Sequence, residues 1–247
     1  MFPYRDDNPT ILTPVGTVVL IIANVLVWVL IQGMGTDPQL TRSVCTLGLI
    51  PAELLQQVEA GTRVRLGPEA DCILGGTPTW HTLLTSMFLH GGWFHLIGNM
   101  WFLWVFGNNV EDSMGHFRYF LFYVLCGLAA AAAQMAVNPA STIPMVGASG
   151  AISGIMGAYI VLYPRVRVHM LIFLGFFITT IAVPAWVMLG YWFLLQLLGG
   201  LPTLVKESGG VAFWAHAGGF LAGMVLIWIF RNRSLVARRT KLVSPYY

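Results

Sequence analysis

The sequence predicts an all-α polytopic membrane protein, a single domain over residues 1–247 with six membrane-spanning helices and both termini cytoplasmic. Three observations carry this. First, 57% of its 247 residues are hydrophobic and only 9% are charged, where a soluble domain carries roughly 25% charged residues. Second, apolar runs recur along the chain, most of them near the length of about 20 residues that a helix needs to cross the hydrocarbon. Third, cations gather after the last run, at Arg231, Arg233, Arg238, Arg239 and Lys241.

The first span is expected over residues 11–31. It does not read as a cleaved signal peptide, because no basic segment precedes it and no small-x-small site follows it. Residues 33–92 form a long outside loop, with a short amphipathic helix over Pro51–Glu59 and a re-entrant or interfacial piece over Trp80–His90. The second span covers 93–110, a turn follows at Glu111–Gly115, and the third span covers 116–137 with its alanine run Ala129–Ala133. The fourth covers 146–163 and is closed by Pro164. Residues 170–183 are apolar and fit either an interfacial segment or an early start to the next helix. Pro184 suits a first helical turn, so the fifth span is set at 184–198, the sixth at 211–230, and a basic tail at 231–247.

The cations orient these spans. With the tail inside, nine of the 13 cations fall inside: Arg5, Arg118, Arg165, Arg167 and the five of the tail. Arg42, Arg63, Arg65 and Lys206 fall outside, three of them in the long loop where the rule is weak. The cations form no soluble basic face, so nucleic acid is not an expected partner. The three cysteines include no CxxC and no Cys/His cluster, so no metal is expected. Cys45 and Cys72 share the outside loop, and a disulfide between them is expected if that loop faces an oxidising space.

The stretch Met145–Gly157 organises the chain. Gly147, Gly150, Gly154 and Gly157, with Ser149 and Ser153, leave a helix face with almost no bulk, and such a face lets another helix backbone approach closely. Gly219 and Gly223 give the sixth span a matching face. His216 lies on that face, at i, i+3 and i+7 with the two glycines. His95 and Asn99 are i,i+4 neighbours on the second span. With the spans so oriented, His95, Ser149 and His216 share one depth, roughly 5–10 Å below the outer face at 1.5 Å per residue. Each alone reads as a packing or helix-bridging residue. Together at one depth they read as a site, because polar groups inside a membrane are costly and usually face the bundle interior or a water-filled cavity.

A serine hydroxyl needs an adjacent base to act as a nucleophile, and neutral imidazole is one. The oxyanion it generates needs preorganised donors. Backbone N–H groups at Ser149 and Gly150, with the His95 and Asn99 side chains, suit that role. All ten carboxylates fall in loops or at span edges, so the unit reads as a Ser149–His216 dyad without an acid. There is no HExxH sequence, no intramembrane Asp pair and no intramembrane lysine, which disfavours the rival intramembrane chemistries.

At these residues the sequence resembles the rhomboid intramembrane serine proteases, over about residues 80–230. Gly147-Ala-Ser149-Gly150 is similar to the family's GxSG nucleophile motif. The segment from Ala215 to Gly223 is similar to its catalytic histidine helix, and that from His90 to Asn99 to its oxyanion-hole segment. Glu111, Gly115 and Arg118 are similar to its cytoplasmic turn. The resemblance implies a six-helix rhomboid-like bundle with an outward-opening, water-filled cavity. It implies an endopeptidase that cleaves transmembrane protein substrates in the lipid bilayer, near small or helix-breaking residues, with no cofactor.

Two positions depart from the family pattern. His81 follows Trp80 where many members have arginine. Ser153 stands where some members stack a tyrosine on the catalytic histidine, so ring support for His216 is expected from elsewhere. The rival classes are a rhomboid-like adaptor without activity, which is expected to lose the serine or histidine, and a transporter, which is expected to carry inverted repeats. Neither feature is present in this sequence. The absence of a targeting segment and the basic six-span form suggest a prokaryotic plasma (inner) membrane.

Overall fold

The computed structural model describes residues 2–67, 70–174, 177–204 and 210–243. Glu69, Lys206 and Glu207, read above as loop residues, lie outside these. Strand β1 (Phe2–Asp6) precedes helix α1 (Val15–Leu30). The long loop holds α2 (Gln39–Leu47), α3 (Pro51–Leu54), β2 (Arg63–Gly67), β3 (Ala70–Ile73) and α4 (Thr82–Thr85). Then come α5 (Trp93–Met114), α6 (His116–Val137) and α7 (Ser149–Leu162). Strands β4 (Arg167–Leu174) and β5 (Phe177–Pro184) lead into α8 (Ala185–Gly200), α9 (Phe213–Phe230) and α10 (Arg233–Val243).

The chain is mostly helical but not all-α. The ambiguous segment 170–183 is not an early start to the next helix. Its described residues lie in β4 and β5, which pair antiparallel, and β1 adds antiparallel to β4 to make the sheet β1-β4-β5. The run Ile178–Val183 is rich in β-branched residues, which favour a pleated ribbon, and β1 satisfies an edge that would otherwise be bare. In the long loop β2 pairs antiparallel with β3. The helix expected over Pro51–Glu59 stops at Leu54.

Among the described residues, three helical stretches are long and apolar enough to cross a membrane: His116–Val137, Ala185–Leu204 and Phe213–Phe230. α1 and α7 are apolar but shorter. Large apolar side chains point outward around the bundle, with Phe94 95%, Leu30 75% and Ile229 73% exposed; a lipid surround accounts for such a surface, since soluble monomers rarely carry contiguous apolar patches of this kind. The expected turn at Glu111 begins later than predicted. α5 continues to Met114, and the chain reverses at Gly115, whose φ of +82° favours glycine.

α7 is the centre of the bundle. Every residue from Gly150 to Tyr159 is buried, and at 14 residues the helix is about 21 Å long. It falls short of the roughly 30 Å hydrocarbon thickness, and its start lies at the floor of a cavity. α9 packs against it on bare backbone. A Cβ added at Gly219 would run into the Gly150 carbonyl, one at Gly223 into the Gly154 carbonyl, and one at Gly157 into the Phe220 carbonyl. Gly219 therefore stands opposite Gly150, and Gly223 opposite Gly154. Gly154 presents its face to Cys126 of α6 and to the Gly219 carbonyl.

The opposite end of α7 is held by polar groups. Glu111 accepts the N–H groups of Gly16 (2.6 Å) and Thr17 (2.8 Å), satisfying the orphan donors of α1's first turn. Asp112 accepts from Ile11 (3.0 Å) and Leu12 (2.6 Å). Asp6 of β1 accepts from the Tyr159 hydroxyl of α7 and from Asn109 Nδ2 (3.1 Å). At the other end Cys45 and Cys72 are joined in a disulfide, and Leu49 exchanges backbone hydrogen bonds with Met145 (3.0 and 2.7 Å). The long loop is thereby fastened to the segment that leads into α7.

Two outcomes follow. Gly219→Val should lower the melting temperature, because overpacking typically costs about 1–3 kcal/mol and carbonyl backbone cannot move aside. Gly190→Ala on α8, where a Cβ meets nothing within 4 Å, should leave it unchanged or raised. Equal melting temperatures for the two variants would refute the close α7–α9 contact. Burial raises the Asp6 carboxyl from 3.8 to about 6, against the lowering effect of the Tyr159 hydrogen bond and Arg239. A carboxyl whose pKa is higher folded than unfolded takes up a proton on folding. Its contribution is therefore full below 3.8 and is lost as pH rises through about 6. Asp6→Asn should flatten the fall in melting temperature across that window; an unchanged slope would show that Asp6 does not titrate there.

Candidate functional site

The cavity above α7 has a volume of about 440 Å³ and is lined by side chains from several helices, Ser149, His216, His95 and Asn99 among them. Ser149 is the first residue of α7 rather than four residues inside it. Its backbone N–H and that of Gly150 belong to the first turn, where donors have no intrahelical acceptor. His216 is in the first turn of α9. Its Nε2 lies 2.7 Å from Ser149 Oγ, so α9's close approach to α7 brings imidazole and hydroxyl into hydrogen-bond contact.

The other ring nitrogen of His216 has a partner that the sequence reading missed. Nδ1 lies 2.8 Å from Gln196 Oε1 on α8, and Trp192, one turn earlier, sets its ring 5.9 Å from the imidazole. These two side chains are the support that Ser153 does not offer. Ser153 is buried, and its hydroxyl donates to the Ser149 carbonyl at 2.6 Å. A signal was present in the sequence: Gln196 is the one amide side chain in the apolar run 184–198, and such groups in lipid usually bond across helices.

His95 and Asn99 line the same cavity from α5. The Gly91 N–H donates to His95 Nδ1 at 3.3 Å, which makes Nδ1 the acceptor and leaves the neutral ring's proton on Nε2. Asn99 Nδ2 is buried with no hydrogen-bond partner among the described residues. Both groups are donors without a committed acceptor. His90, outside the helix, packs its ring against His95 at 5.1 Å. Burial pushes the His90 imidazole down to about 3. Its backbone N–H and C=O pair with the Gln32 amide, each at 2.8 Å.

Gly147 corrects the expectation of a helix-packing glycine. It lies in the loop before α7 with φ +130°. A Cβ there would come 2.8 Å from His95 Nε2 and 3.5 Å from Ser149 Oγ. Its lack of a side chain makes room for the site, whereas Gly150, Gly154, Gly157, Gly219 and Gly223 serve the helix contacts described above.

The sequence family described as the Rhomboid domain matches residues 77–233, well over half of the chain. The chain belongs to the rhomboid family. Rhomboid-like protein 11, chloroplastic, of Arabidopsis thaliana is 29% identical over 160 residues, which is 62% of this chain and 53% of that one. Rhomboid protein 1, mitochondrial, of Saccharomyces cerevisiae is 25% identical over 167 residues, 65% of this chain and 45% of that one. Rhomboid protease GluP of Bacillus subtilis is 40% identical over 79 residues, 32% of this chain and 15% of that one. The chain thus spans about half the length of the first two relatives.

Rhomboid membership and the apolar helices make this an integral membrane protein. Organellar and bacterial rhomboid proteins are matched alike, so the expectation of a prokaryotic plasma membrane draws no support from them. Ser149, His216, His95, Asn99 and Gln196 fall within the rhomboid-domain match, whereas α1 and the Cys45–Cys72 bond lie outside it. Gly147→Ala should lower stability by about 1–3 kcal/mol, the usual cost of a strained backbone conformation. A wild-type melting temperature would show that the loop does not need its glycine.

Proposed function

We propose that this rhomboid protein is an intramembrane serine endopeptidase in which Ser149 and His216 form the catalytic dyad. The observation that carries the reading is the 2.7 Å contact between Ser149 Oγ and His216 Nε2 at the floor of a cavity. In this reading the His216 imidazole takes the Ser149 proton as the oxygen attacks a peptide carbonyl of a transmembrane protein substrate. The first-turn N–H groups at Ser149 and Gly150, His95 Nε2–H and Asn99 Nδ2 receive the oxyanion. His216 then returns the proton to the leaving amine, and water from the cavity hydrolyses the acyl-enzyme. No cofactor takes part.

The same reading counts six spans, α1, α5, α6, α7, α8 and α9, with both termini cytoplasmic. It is supported by the nine-to-four partition of the cations and by the common direction of α5, α7 and α9. It sets the Cys45–Cys72 bond and the cavity on the outer side.

The test is cleavage of a model single-span substrate by the full chain in lipid vesicles. Ser149→Ala and His216→Ala should each abolish cleavage without lowering the melting temperature, and the double variant should be no worse than either, because the two groups act as a unit. His95→Ala and Asn99→Ala should each cause a partial loss, at most the roughly 2.7–4 kcal/mol that one oxyanion donor contributes in a soluble serine protease. Near-wild-type cleavage by Ser149→Ala would remove the dyad.

A further inference from the structure

We propose that Gln196 is the positioning residue of the dyad: its amide oxygen accepts the Nδ1 proton of His216 and holds the imidazole in the tautomer whose Nε2 can take the Ser149 proton. The inference rests on the proteolytic reading above and adds a third group to it.

A neutral imidazole carries one proton, and only the Nδ1–H tautomer leaves Nε2 as a base. Ser149 Oγ sits at Nε2, so what sits at Nδ1 decides whether the ring is competent. That position is filled by Gln196 Oε1 at 2.8 Å. An amide offers either an oxygen or an NH₂ group, and the second bond of Gln196 selects between them. Its Nε2 donates to the Trp192 carbonyl at 3.2 Å on the same helix. The amide therefore turns its nitrogen to the α8 backbone and its oxygen to the histidine. Gln196 is only 9% exposed, so water competes weakly for either bond. The Trp192 ring, tilted by 38° to the imidazole, limits its rotation.

The sequence inventory left the dyad without an acid, and Gln196 explains how it manages without one. A neutral amide fixes the tautomer and the ring plane, two of the tasks an orienting group performs for a catalytic base. It supplies no charge to stabilise the imidazolium. The competing account is that Gln196 only bridges α8 to α9, as polar side chains do in membrane bundles. That account predicts a loss of stability, with any loss of activity equal whether or not the acceptor oxygen is kept.

The two are separated by Gln196→Met, similar in length but without the acceptor oxygen, and Gln196→Glu, which keeps an acceptor in either protonation state. Both are compared with wild type and Ser149→Ala, as full chains in lipid vesicles. The readouts are kcat and KM on a single-span substrate, the rate of fluorophosphonate labelling at Ser149, and the melting temperature. Gln196→Met should lower kcat and the labelling rate together by about 10- to 100-fold, the range seen when the hydrogen bond that fixes a functional imidazole is removed at metal sites. KM should stay near the wild-type value. Gln196→Glu should recover kcat to within about threefold, a difference under 1 kcal/mol.

Wild-type kcat and labelling in Gln196→Met, with Ser149→Ala inert, would overturn this inference and leave the dyad standing. Equal losses in both variants with lowered melting temperatures would assign Gln196 to packing and overturn it as well. A wild-type protein that neither cleaves nor labels would remove the proteolytic reading and this inference together.

Discussion

The close approach of α7 and α9 is the constraint on which the rest depends. Two helix axes normally stand 8–10 Å apart, held off by side chains. Here three glycines, Gly157, Gly219 and Gly223, each face a carbonyl of the opposing backbone. A membrane bundle gains little from burying apolar area against apolar lipid, so close packing of small residues is a main source of adhesion. The same contact brings His216 to within 2.7 Å of Ser149. One feature therefore holds the two helices together and makes their two polar residues meet.

Around that contact the molecule is pinned at both ends by polar groups. At one end, Glu111 accepts the free N–H groups at the start of α1 and Asp112 those of Ile11 and Leu12 ahead of it, and β1 reaches across to α7 through Asp6. At the other, the long loop is stapled by Cys45–Cys72 and paired to Met145 through Leu49. The lead-in to α7 is thereby fixed just ahead of Ser149. Gly147 completes the arrangement, since its missing side chain is what admits the His95 ring to the cavity.

The sequence reading failed where local pattern is shared by two structures. Residues 170–183 are apolar and β-branched, and no periodicity distinguishes a short buried helix from a two-stranded ribbon. The choice fell to the ribbon because β1, more than 160 positions away in sequence, pairs with it. Glu111 and Asp112 look like the end of a span, since two adjacent carboxylates are costly in lipid. They remain helical because α1 and the residues ahead of it present unsatisfied donors to them. Gly147 looked like one more small residue in a glycine-rich run. Its role depends on a positive φ and on a histidine arriving from another helix.

What the sequence alone determined was membrane character, the approximate extents of the apolar helices, and the residue types able to do chemistry. Hydropathy, helix-breaking prolines and small-residue spacing are local properties, and they are written in the order of residues. Ser149, His216, His95 and Asn99 were legible for the same reason: a polar group within an apolar run stands out. Only the tertiary structure decided which of them touch. It gave Gln196 to the far side of His216, set Ser149 at the very start of its helix, and placed Gly219 against Gly150. Each of these depends on the relative rotation and register of two helices. A shift of one residue along a helix turns a side chain by about 100°, and that angle is settled by packing across the whole bundle rather than by any single stretch of chain.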